Sequence, residues 1–133
     1  MQYVRHAKGA LTAVLATAVC HTLMYAGYAW ARDSATASGD TLFSGAFEFF
    51  LTSVTSWALM PVLLWAGMRL LGETGNTMFV FGGGLVWAGA SGYFIDDIDS
   101  AGGHMPLLVL AAHLLLVTGL AGMGPSRRRL ADQ

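Results

Sequence analysis

Residues 9–31 read GALTAVLATAVCHTLMYAGYAWA, a run of 23 positions with no Asp, Glu, Lys or Arg. A helix crosses the hydrocarbon core of a bilayer with ~20 apolar residues, so this stretch reads as a membrane span. Working outward, three more windows qualify. Residues 46–71 are long, apolar and interrupted by Pro61. Residues 77–95 read TMFVFGGGLVWAGASGYFI, and residues 106–123 form the last window. No segment shows the alternating pattern of a membrane-spanning strand. The expected fold is all-α: a polytopic membrane protein of one domain, residues 1–133, with four transmembrane helices in an up-down antiparallel bundle.

Composition agrees. Of the 133 residues, 55% are apolar and 11% are charged, with mean hydropathy +0.56. A soluble domain carries roughly a quarter charged residues; this chain has too few to cover a water-facing surface. A soluble globular protein, a disordered tail and a nucleic-acid binder with a basic face are excluded, and the lipid bilayer is the expected partner. Cys20 is the only cysteine, so no intramolecular disulfide supports the fold. Within its apolar run the thiol is expected to pack.

The charges segregate. Arg5 and Lys8 precede the first span, Arg69 closes the second, and Arg127, Arg128 and Arg129 follow the fourth. The other side carries Asp33, Asp40, Glu48, Asp96, Asp97 and Asp99 against a lone Arg32. The positive-inside rule puts both termini in the cytoplasm, as expected for a multi-pass protein of the plasma (inner) membrane. Ala29-Trp30-Ala31 also resembles a signal-peptide cleavage site, but the apolar run exceeds the ~7–15 residues of a signal core, so retention is expected. Residues 72–76, GETGN, read as a tight cytoplasmic turn, 32–45 as a flexible polar loop and 96–105 as a short acidic one.

Gly84, Ala88 and Gly92 recur at four-residue spacing in span three. Such a row lets another backbone approach closely where lipid removes the hydrophobic drive. It serves packing within the chain, or else a homodimer or docking onto other membrane subunits. Pro61 is expected to kink span two. Trp30 reads as an interfacial aromatic, and Trp57, Trp65 and Trp87 as deeper packing residues.

An ionisable side chain inside hydrocarbon is a functional candidate by default. His21 and His113 lie near the centres of spans one and four, at similar expected depth. They could ligate a haem iron or a transition metal, relay protons, or be structural, with Thr17 one turn from His21 as a partner. Glu48, Thr52, Thr55 and Ser56 share a helix face, suited either to an outer polar vestibule or to a helix-start carboxylate with back-bonded hydroxyls. Asp96, Asp97, Asp99 and His104 gather metal-type ligands, although an acidic cap facing water explains them equally well.

Enzyme signatures are missing: there is no Gly-x-Ser-x-Gly elbow, phosphate loop or His-Glu-x-x-His pair. In size and hydropathy the chain resembles the small four-helix multidrug exporters and the small fluoride channels, in scale only. Span one carries His21 and no central carboxylate, and span two holds no Asn. The functional expectation is a small membrane protein acting as an oligomer or accessory subunit, with a transporter or channel, and a haem or metal redox protein, as alternatives.

Overall fold

A computed structural model describes residues 2–37 and 43–123. Among these residues the chain is all-helical, with five helices and no strand. They are α1 (Gln2–Ala37), α2 (Ala46–Leu70), α3 (Thr77–Tyr93), α4 (Ile95–Asp99) and α5 (Leu107–Ala121). Two of them, α1 and α2, are long and apolar enough to cross a membrane. Asp40 and the Arg127–Arg129 cluster lie outside the described residues.

The boundaries differ from expectation in three places. First, α1 has 36 residues, about 54 Å at ~1.5 Å per residue, so residues 32–37 are helix and not loop. That extension is held from both sides. Thr36 Oγ1 donates to the Asp33 carbonyl, and the Arg32 guanidinium reaches the Asp99 backbone carbonyl, with its carboxylate 3.8 Å away. Second, α3 and α5 have 17 and 15 residues, about 25 and 22 Å, shorter than the ~30 Å hydrocarbon core. Third, the acidic connection begins as a short helix, α4, with Ile98 fully buried.

The four longer helices close a ring, in which α1 packs on α2 and α5, and α3 packs on α2 and α5. The α2–α3 turn sits beside the start of α1, where Arg5 and Lys8 bond to residues 71–76. The end of α5 arrives there too, since a methyl at Gly9 would strike Ala121. At the opposite end, α4 lies against the last turns of α1. Each successive long helix therefore reverses direction. Gly72 and Gly75, at φ 76° and 70°, make the tight α2–α3 reversal.

The α1–α2 seam shows why these two helices approach closely. A methyl at Gly27 would overlap the Thr52 side chain, and one at Gly67 would overlap Thr12. Thr12 to Gly27 and Thr52 to Gly67 are both fifteen residues, so each helix inserts one threonine into a glycine notch on the other. Both threonines are buried. On the next seam Gly84 lies against Pro61, where a methyl would sit 3.3 Å from the proline ring. α2 continues through Pro61 as helix to Leu70.

Overpacking a tight contact costs about 1–3 kcal/mol. Gly27→Ala is therefore expected to lower the thermal unfolding midpoint in detergent, and Thr52→Ala in the same chain to restore most of it. Equal destabilisation in the single and double variants would contradict the notch.

Candidate functional site

A set of polar side chains points inward. Thr12, Thr17, Thr52, Ser53, Ser56, Ser91 and His113 are all buried, whereas Leu15, Phe50, Phe81, Leu85, Leu108 and Leu115 are more than half exposed. The inward groups form layers along the ring's axis.

At the turn end, Lys8 Nζ bonds Glu73 Oε1 at 2.9 Å and the Leu71 carbonyl at 2.8 Å. Arg5 reaches Asn76 Oδ1 at 2.8 Å and the carbonyls of Thr74 and Gly75. The cations that read as topology signals also tie α1 to the turn, and Lys8 satisfies a carbonyl just past the end of α2. Trp65 is half exposed here, with the Arg69 guanidinium 5.6 Å from its ring centre, and so is not the core residue expected.

In the middle, Trp87 Nε1 donates to Ser56 Oγ at 3.0 Å, and Trp57 Nε1 donates to Ser91 Oγ at 2.9 Å. Cys20 Sγ donates to the Ser56 carbonyl at 3.7 Å. Nearer the α4 end, Tyr28 and Ser53 share a hydrogen bond of 2.7 Å, and the Tyr28 ring stacks on Phe49. Indole and phenol reaching serine across a seam is how a polar interior excludes water without leaving unmet donors.

The expected site residues fall as follows. Glu48 is half-buried, Thr52 and Ser56 are buried, and Thr55 is exposed. The four therefore do not line one surface. Thr52 fills the Gly27 notch while its hydroxyl donates back to the Glu48 carbonyl at 2.7 Å. Asp96, Asp97 and His104 are exposed, and Asp99 faces Arg32. Among the described residues no three His, Cys, Asp or Glu side chains converge on a point that would hold a metal ion. The acidic group does not close because α4 fans its carboxylates around a helix and Asp99 turns to α1. Gly84 and Gly92 of the small-residue row lie against Pro61 and Trp57 of α2, and Ala88 is half-buried.

The histidines occupy the α1–α5 seam. Gly9 faces Ala121 and Gly122 faces His6. Antiparallel steps of four residues then set Ala13 opposite Val117 and Thr17 opposite His113, and all four are buried. His21 comes one turn further in that register, its Cα about 6 Å along the axis from that of Thr17. His113 is 2% exposed, and its ring neighbour is the Trp87 indole, 5.3 Å between centroids. Among the described residues neither ring nitrogen of His113 has a hydrogen-bond partner; nor does Thr17 Oγ1, nor His21 Nε2. The expected Thr17–His21 bond is therefore not made.

Sequence reasoning missed the Thr–Gly notches and the Thr17–His113 opposition. Only the four-residue spacing of Gly9, Ala13, Thr17 and His21 on one side and His113, Val117 and Ala121 on the other could have hinted at the second. Comparison with protein-family models, curated proteins and solved structures finds no match for the chain.

Removing one partner of a buried hydrogen bond costs about 1–3 kcal/mol. Ser56→Ala and Trp87→Phe should each destabilise the protein by that order, while the double variant should cost clearly less than their sum in a double-mutant cycle. Strict additivity in detergent unfolding would show that the indole and hydroxyl do not act as a pair.

Proposed function

We propose that this protein is a four-helix membrane-spanning unit, an up-down antiparallel bundle with both termini in the cytoplasm. It acts through its lipid-facing surface, as a homo-oligomer or an accessory subunit in the plasma (inner) membrane. One observation carries the reading: the buried residues include several hydroxyls and an imidazole beside the apolar ones, while every long helix exposes large apolar side chains. That ordering is wasteful in water and favourable in hydrocarbon, where backbone and polar groups must be met internally. Only 28% of the apolar stretch of α2 is buried within the chain, which fits a lipid-facing helix better than the core helix of a soluble fold.

The shorter helices suit this reading with modest adjustment. α3 passes directly through Phe94 into α4, which adds length at that end, and a bilayer thins around short spans at small cost. Lys8 and Arg69 at one end and Asp96, Asp97 and Asp99 at the other supply the charge asymmetry that orients the unit. Association through the outer surface is favoured because the polar face of α2 is used in packing α1 and the acidic groups do not converge.

Two measurements test this. In a Cys20→Ser background, a membrane-impermeant maleimide should label Ser100→Cys on intact cells and Thr74→Cys only after permeabilisation. Labelling of both, or the reverse order, would contradict the topology. Native mass spectrometry of gently extracted protein should show two or more copies, or a second subunit at fixed ratio; a lone single copy would contradict the oligomer or accessory role.

A further inference from the structure

Four polar atoms of the α1–α5 seam share one short stretch of the interior. Thr17 Oγ1, His21 Nε2 and both ring nitrogens of His113 are buried and have no hydrogen-bond partner among the described residues. His113 and Thr17 are 2% and 5% exposed, and the helix register sets them opposite each other. A neutral imidazole carries one N–H donor and one acceptor, and a threonine hydroxyl carries both functions. Leaving all of them unmet costs far more than any contact the seam gains, and native interiors do not do so. The other polar groups of this interior are met: the Trp87 indole by Ser56, the Trp57 indole by Ser91, and Tyr28 by Ser53. The unmet atoms are concentrated where a small molecule able to both donate and accept would satisfy them together.

We infer that the α1–α5 seam is a water-binding site, in which a short file of water bridges His113, Thr17 and His21. The inference rests on the membrane-spanning reading above. Water reaches the file from the α4 end. His21 is only half-buried and lies one turn nearer the α4 end than Thr17, and His104 is exposed at the start of the segment leading into α5. In the other direction the seam is apolar: Ala13 and Val117 are both fully buried, and Gly9 meets Ala121. The file is thus open at one end and stopped at the other. Its proposed partners are the unmet atoms of His113, Thr17 and His21, whereas the thiol of Cys20 is turned to the Ser56 carbonyl on α2.

Water-edited solid-state NMR of the isotope-labelled protein in phosphatidylcholine–phosphatidylglycerol vesicles tests this directly. Magnetisation from water protons should reach the His113 and His21 ring nitrogens at a rate of the same order as at exposed His104, and far faster than at the core residue Leu64. Thr17→Val, close to threonine in shape, should slow transfer to His113 severalfold while leaving His104 unchanged. Transfer at His113 as slow as at Leu64 overturns the site. Lipid acyl-chain transfer to the outward-facing Leu115 separates the two levels of the account. Strong transfer at Leu115 with a dry His113 sinks the water file alone, whereas no lipid transfer at Leu115 removes the membrane reading and the water file with it.

Discussion

A large polar side chain turned into the interior of this molecule needs a partner across a helix seam, and that constraint organises the structure. Few residues supply those partners. Ser56 accepts from Trp87, Ser91 accepts from Trp57, and Ser53 pairs with Tyr28. Each pair joins a large aromatic residue on one helix to a small hydroxyl on its neighbour. The hydroxyl-bearing residues are small enough to lie at the contact, and the aromatic body fills the space beside it. The result is packing that depends on both shape and hydrogen bonding, so a helix that slid or rotated would lose both together.

α1 is the spine of this arrangement. It contacts α2 along the Thr12–Gly67 and Thr52–Gly27 notches, and it meets α5 where Gly9 faces Ala121 and His6 faces Gly122. Its ends are held by charged groups: Arg5 and Lys8 on the α2–α3 turn, and Arg32 on Asp99. These cations thus lock the ring at either end. Apolar seams between α1 and α2 remain open on the outside, forming a groove of about 310 Å³ lined by Leu15, Val19, Leu63 and Leu70 among others.

Much of the fold was legible because hydropathy and helix formation depend on local sequence. The uncharged run 9–31, the Gly72–Asn76 turn and the two long apolar helices could be read directly, and the helices lie where those runs do. Helix ends were less legible. Residues 32–37 look like a polar loop by composition, but Arg32 finds Asp99 on α4, a contact 67 residues away in sequence. The candidate site was legible as a set of residue types and not as an arrangement. Which face of α1 meets α5 depends on the register of two helices nearly a hundred residues apart. His113 therefore reads as unusual in sequence, while its opposition to Thr17 and its separation from His21 by a turn do not. Likewise, Glu48, Thr52, Thr55 and Ser56 share a helix face on paper, yet the fit of Thr52 into Gly27 points that face at α1 and leaves Thr55 outside.

The account's central claim is that the apolar exterior faces lipid and the polar interior does not. Photolabelling in native membranes with a hydrocarbon-soluble carbene precursor, mapped residue by residue by mass spectrometry, tests it most directly. The account predicts heavy labelling of Leu15, Val19, Phe50, Val62, Leu85 and Leu115, with Met24, Met60, Leu64 and Trp87 protected. Labelling of the second group, or no labelling of the first, would contradict it.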